Sequence, residues 1–286
     1  LAVYLAMERP KADWLCANIS DAHPRVYANA AQLEKIFSSE NTQLKAVLNN
    51  AVSTADYSIG LIEDKSYETT DFSTPKHLWD YSFVLANYLA WRKTGNEKYK
   101  NTGIHMGDYT ASFEHWSQNS SSLVTSAMIV TASYAYDLFY DEMTDEQRDK
   151  IAAAIFENGI KPGYEYLLGN KTSINTWPIK TNNWNLVCSG GVAVGAAALL
   201  RDYPQYDEIC TAALEAAIRS LEHGMTSFMP DGGGEEGASY LDYEMYLGLI
   251  PFLECMDAAY GTDFCLPQVP GFKESGYFMA YVNGSD

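Results

Sequence analysis

The sequence predicts an all-α protein built from antiparallel helical hairpins. Three observations carry that expectation. Apolar residues recur at helical spacing through nearly all of the chain after its first 20 residues. Convincing strand patterns are few. Short polar or Gly/Pro-bearing links separate the periodic stretches, which folds consecutive helices back beside one another. Helices are expected at roughly 28–38, 42–57, 77–95, 97–117, 121–139, 144–168, 184–201, 204–226 and 236–260. No heptad run occurs, so paired helices rather than a coiled coil are expected. A ring of such hairpins is an α/α toroid. An open α-solenoid is the alternative, which the lack of a strict sequence repeat disfavours.

Local signals set several boundaries. Pro24 pushes His23 out of the helical region, so His23-Pro24-Arg25-Val26-Tyr27 reads as an opening strand or turn. Gly95-Asn96 stops the helix that ends Trp91-Arg92-Lys93, with its cations at the negative end of the helix dipole. Thr144-Asp145-Glu146 supplies a cap and first-turn acids to the next long helix. Residues 263–286 turn rich in Gly, Pro and aromatics and close on Asn283-Gly284-Ser285-Asp286, a linker-like sequence. The expected organisation is therefore an extension over 1–22, a helical domain over 23–262, and a tail over 263–286 that leads to a further domain.

Composition narrows the function. The formal charge of −18 argues against a nucleic-acid binder, which needs a basic face to release counterions. It also disfavours a densely sulfated glycan and suits a weakly charged sugar polymer, or it serves solubility alone. No apolar run of about 18 residues is present, so no membrane span is expected. The opening LAVYLAMERP lacks a basic start and a long apolar stretch and does not read as an intact signal peptide. The five cysteines include no C-x-x-C pair, so no metal, redox motif or cofactor is expected. Cys255 and Cys265 are spaced to bridge a short loop, and the odd count leaves a free thiol. Few disulfides are compatible with export from a bacterium.

Two segments carry candidate chemistry. The first is Thr181-Asn182-Asn183-Trp184-Asn185, which leads into Leu186-Val187-Cys188-Ser189-Gly190-Gly191 and an alanine-rich run. The small residues mark a central, closely packed helix. Its N-terminal end offers free backbone N–H groups and the positive dipole end to an anion. One asparagine suffices for a cap, so three within four residues, with Trp184, exceed what capping needs. The second is Asp231-Gly232-Gly233-Gly234-Glu235-Glu236-Gly237-Ala238-Ser239-Tyr240, continuing Leu241-Asp242-Tyr243. A glycine loop there delivers acids and two tyrosines to a helix start. Tyr240 and Tyr243 share a face. A tyrosine hydroxyl is a proton donor and, once deprotonated, a base. Most of the 21 tyrosines must nonetheless be ordinary core aromatics.

These two segments resemble the signature of the heparinase II/III-like polysaccharide lyase superfamily. The stretch Ser133-Tyr134-Ala135-Tyr136-Asp137-Leu138-Phe139-Tyr140, then Thr144-Asp145-Glu146-Gln147-Arg148, resembles its middle helices, and His23-Pro24-Arg25-Val26 its start. The resemblance spans about residues 20–260. It implies a secreted or periplasmic bacterial enzyme with an N-terminal α/α toroid and a C-terminal antiparallel β-sandwich. On that reading this chain is an incomplete toroid without the sandwich. The implied reaction is β-elimination at a uronic acid residue of an acidic polysaccharide. Asn183 would neutralise the C5 carboxylate, and Tyr240 would protonate the leaving oxygen and, in a syn elimination, take the C5 proton. Asn182, Trp184, Asn185, Glu236 and Tyr243 would contact the sugar. The chain departs from the pattern at Trp184, where such lyases often carry histidine, and a second family histidine comes from the sandwich. His77, His115 and His223 are candidate bases by residue type only, and Lys180 and Arg219 are candidate cations for an acidic sugar.

Two other functions fit parts of the pattern. A glycoside hydrolase on the same architecture would draw two carboxylates, about 5–10 Å apart, from Asp231, Glu235, Glu236 and Asp242. A non-catalytic glycan-binding protein would stack sugar rings on Trp177, Trp184 and Tyr240.

Overall fold

The computed structural model describes residues 9–64, 80–118, 121–171 and 176–283. They form helices joined by turns and bends, with no strand among the described residues. The helices are α1 (Ala12–Asn18), α2 (Ala30–Ser38), α3 (Thr42–Glu63), α4 (Tyr81–Thr94), α5 (Glu97–Ala111), α6 (Ser122–Leu138), α7 (Asp145–Ala154), α8 (Lys161–Leu167), α9 (Asn183–Leu199), α10 (Asp207–Gly224), α11 (Ala238–Glu244), α12 (Ile250–Tyr260) and α13 (Ser275–Asn283). The expected strand or turn at His23 is a bend.

Capping sets the starts of five helices and the ends of two. Asn29 with Gln32, and Thr144 with Gln147, form reciprocal capping boxes at α2 and α7. Asn41, Asp80 and Asn96 accept first-turn N–H groups at α3, α4 and α5. Gly95 and Gly261, both at φ +69°, end α4 and α12 in the left-handed conformation.

The two longest expected helices are each interrupted. A π turn at Ile155–Ile160 joins α7 to α8, and another at Met245–Leu249 joins α11 to α12. A proline stands two residues beyond each turn, Pro162 and Pro251. Proline removes one backbone donor and crowds the carbonyl four residues back, and a wider turn relieves both. Each π turn also carries a glycine at a tight crossing. A Cβ on Gly159 would lie 2.5 Å from Ile129 Cγ1, and one on Gly248 2.4 Å from the Leu186 carbonyl oxygen.

Consecutive helices pack as antiparallel pairs. Ser58 and Asn87 join α3 to α4, while Lys93 near the end of α4 reaches Asn49 near the start of α3. Asn185 and Ser220 pin the start of α9 to the end of α10. Helices α6 and α9 run parallel and touch along their small residues: Ser126 Oγ donates to the Val187 carbonyl at 2.6 Å. Helix α9 is buried at all but one of its positions, Trp184, so the chain's centre lies there. A Cβ on Gly191 would fall 2.0 Å from Ser126 Oγ. Gly191→Ala is therefore expected to lower stability by about 1–3 kcal/mol, read as a lower thermal midpoint, through overpacking of the α6–α9 crossing.

Both ends of the described chain dock on this body. Helix α1 packs on α10, and the Ser20 N–H donates to the Ala259 carbonyl at 2.9 Å. The segment expected to be linker-like carries a turn at Leu266–Gln268 and helix α13. Phe272 packs edge-on against Phe228 at 5.2 Å, and Gly271, at φ +90°, lies where a Cβ would meet the Phe228 carbonyl oxygen. Its aromatics, which lowered the helical signal, are what anchor it. All five cysteines are free thiols. The expected Cys255–Cys265 bridge is absent, with Cys255 buried inside α12.

Candidate functional site

The N-terminus of α9 is capped from a distance. Asn182 adopts extended backbone there, but its side chain makes no capping bond. The carboxylate of Glu236, from the glycine loop, takes that place. Its Oε2 accepts from the Asn183 backbone N–H at 2.8 Å and from Asn183 Nδ2 at 2.6 Å. A carboxylate on a helix N-terminus is favoured by the free N–H groups and by the dipole. Asn183 is 2% exposed, and its Oδ1 has no hydrogen-bond partner among the described residues.

The glycine loop brings Tyr240 to the same region. Gly232 and Gly237 take φ +87° and +85°, values that exclude ordinary side chains. Between them the chain turns back, so that Glu236 reaches Asn183 just before α11 begins at Ala238. Tyr240 stands on the first turn of α11, 52% exposed, with its ring edge-on to Tyr243 at 6.5 Å. Its hydroxyl makes no hydrogen bond among the described residues. Tyr243 lines a cavity of about 360 Å³ with Asp80, Tyr81, Leu123, Thr131 and Leu247. Burial, then the nearby Cys188 and Tyr240, push its phenol above the usual tyrosine range. Beside it, Tyr246 donates to Asp80 at 2.6 Å and Tyr81 donates to the Tyr246 carbonyl at 2.9 Å.

The remaining candidates divide clearly. Asn185 is not available to a sugar, which corrects the sequence expectation. It is fully buried, and its Nδ2 donates to the Pro178 carbonyl at 3.1 Å and to Ser220 Oγ at 3.2 Å. It locks the turn before α9, and α9 itself, onto α10. Trp184 is half-buried against Trp177, Tyr166 and Cys188, and the Lys180 ammonium lies 5.9 Å from its ring centre. Arg219 is paired with Glu215 one turn away, so its charge is already met. His115 is exposed beside Glu114 in the loop after α5. His223, in the last turn of α10, bonds the Ile179 carbonyl at 3.2 Å, on the segment that leads into Asn182. His77 lies outside the described residues.

One buried carboxyl in this region is strongly perturbed. Glu244, on α11, is 3% exposed, and burial followed by the charge of Glu236 pushes its carboxyl up to about 8. It lines a space of only about 10 Å³ with Thr181, Asn182, Gly234 and Glu236. It stands one turn after Tyr240, and no local sequence pattern reports its burial. Among the described residues no group of three or more His, Cys, Asp or Glu side chains is placed to hold a metal ion, and no helix is long and apolar enough to cross a membrane.

A second polar cluster lies at the other end of the central helices. His23 Nδ1 meets Asp137 Oδ1 at 2.7 Å and its Nε2 meets Asp202 Oδ2 at 2.9 Å, while its ring stacks on Tyr140 at 3.9 Å. Burial alone would lower the imidazole pKa, but the two carboxylates outweigh it and raise it. The fully buried Arg25 donates to the carbonyls of Ser20, Ala198 and Leu200 and sits 3.1 Å from Asp202. The segment His23-Pro24-Arg25-Val26 thus ties the chain's start to α6 and the end of α9.

No protein-family model matches this chain, and no curated protein sequence matches it either. The resemblance to heparinase II/III-like lyases therefore rests on the quoted motifs.

Proposed function

We propose that this chain forms an α/α-toroid domain of an exported polysaccharide lyase that cleaves a uronate-containing glycan by β-elimination. The antiparallel pairs, the parallel α6 and α9, and the docking of α1 on α10 support a ring of hairpins. The observation that carries the activity is the Glu236–Asn183 contact. The donors at the start of α9 already hold a carboxylate, at 2.6 and 2.8 Å, within four residues of an exposed tyrosine.

In the proposed reaction the uronate carboxylate binds Asn183 Nδ2 and the adjacent backbone N–H. Those donors favour the negative charge that builds on the carboxylate as the C5 proton leaves. The electron pair from the C5–H bond becomes the C4–C5 double bond, and the bond from C4 to the glycosidic oxygen breaks. Tyr240, as phenolate, takes the C5 proton and returns it to that oxygen, a syn elimination in which one side chain is both base and acid. Trp184, with Lys180 over its ring, and Tyr243, at the mouth of the larger cavity, would hold neighbouring sugar rings.

A glycoside hydrolase is the second reading, favoured by the contrast between the buried Glu244, with its raised pKa, and Glu236. Two carboxyls in unlike environments are the usual acid–base arrangement of hydrolases. Against it, Glu244 is 3% exposed and out of reach of a glycosidic bond.

The test is an ultraviolet assay on a panel of uronate polymers, from weakly charged to sulfated. Unsaturated product is expected from a weakly charged polymer. Its absence across the whole panel, with a folded protein, would rule the lyase reading out.

A further inference from the structure

The carboxylate seat on α9 is occupied by the protein itself. Glu236 Oε2 takes both the backbone N–H and the Nδ2 donor of Asn183. The space around it amounts to about 10 Å³, room for a single water and no more. A sugar carboxylate cannot reach those donors while Glu236 holds them. We infer that Glu236 is a carboxylate placeholder and a specificity-determining residue: it leaves the Asn183 seat only in exchange for the carboxylate of an incoming uronate. This rests on the reading of Asn183 as the uronate seat.

The loop is built for such an exchange. At its start it is pinned: a Cβ on Gly232 would lie 2.4 Å from the Ser275 N, so α13 fixes this end. At its far end Gly237 is at φ +85° with nothing within 4 Å of its Cβ position. Its N–H donates to the Gly234 carbonyl and its carbonyl accepts from the Leu241 N–H, so the pivot directly after Glu236 is held only by contacts within the loop and α11. Glu236 itself is exposed although its carboxylate is engaged, so it can swing outward without crossing the core. The same pivot precedes Tyr240, which stands three residues later in the first turn of α11.

The exchange also gives selectivity. A neutral sugar brings no anion, so displacing Glu236 would leave the helix N-terminus and Asn183 without a carboxylate. A uronate replaces like with like. Glu236 therefore lowers apparent affinity for a carboxylate ligand by the fraction of time it holds the seat, while a neutral sugar, which does not use those donors, is unaffected by it.

Titration of the whole chain with D-glucuronate and with D-glucose, followed by calorimetry, tests this without any turnover. Glu236→Ala, which removes the competitor, is expected to bind glucuronate roughly tenfold or more tightly than the natural chain. Glu236→Gln, which keeps a weaker neutral acceptor, should gain less, and glucose affinity should stay unchanged in both. Adding Asn183→Ala to Glu236→Ala should erase the gain. If neither variant binds glucuronate more tightly than the natural chain, Glu236 is a fixed helix cap and the inference is overturned. A gain in glucuronate binding with no unsaturated product from any polymer would sink the lyase reading while leaving the exchange standing. Unsaturated product with no gain would do the reverse.

Discussion

Replacing Tyr240 by phenylalanine is expected to lower the yield of unsaturated product by about a hundredfold to ten-thousandfold, the range over which a positioned proton donor contributes. Stability should stay within about 0.5 kcal/mol of the natural chain. The separation of the two effects follows from the environment of the side chain. The ring is half-exposed, and its hydroxyl bonds nothing among the described residues, so its removal leaves no buried partner unsatisfied. The matching control is Tyr243→Phe. Tyr243 is half-buried beside the larger cavity, and its loss should weaken polymer binding more than it slows turnover. A phenylalanine variant at 240 with undiminished turnover would remove Tyr240 from the mechanism.

The largest expected effect on folding is at the opposite end of the molecule. Asp137→Ala should cost about 3–5 kcal/mol, because it strips a buried network of its carboxylate and strands the charges around it. The Asp137 side chain is wholly buried and accepts from the Arg25 and Val26 backbone N–H groups as well as from His23. Its loss uncouples the start of the chain from α6, and urea unfolding would read the drop directly. A pH dependence accompanies it. His23 has a raised pKa in the folded chain, so its contribution is complete below the unfolded value of about 6.5 and is lost as pH rises through the higher folded value. The thermal midpoint of the natural chain should therefore decline from weakly acidic toward alkaline pH. His23→Gln should flatten that limb, and an unchanged slope would show that another group governs it.

The sequence made the helices legible because their signals are local. Caps such as Asn29 and Thr144 and stops such as Gly95 act within a turn of where they stand. The breaks at Ile155–Ile160 and Met245–Leu249 were also written locally, in Pro162 and Pro251, but apolar periodicity carried across them and hid the extra residue. Nothing local distinguishes Asn185 from Asn183. The two are separated by about 200° around the helix axis, and only the packing of α10 decides that Asn185 faces Ser220 while Asn183 faces the glycine loop. Glu236 was legible as a ligand-facing acid but not as the cap of a helix 53 residues away in sequence. Glu244 was invisible for the same reason, since its carboxyl is perturbed by burial that no sequence window reports.

The most direct test of the elimination is to digest a weakly charged uronate polymer in water enriched in heavy oxygen and weigh the products. β-Elimination adds no water across the broken bond. The account predicts oligosaccharides that each carry a C4–C5 double bond at the new non-reducing end and no solvent oxygen fixed at the moment of cleavage. Saturated products that carry solvent oxygen from the cleavage step would contradict it.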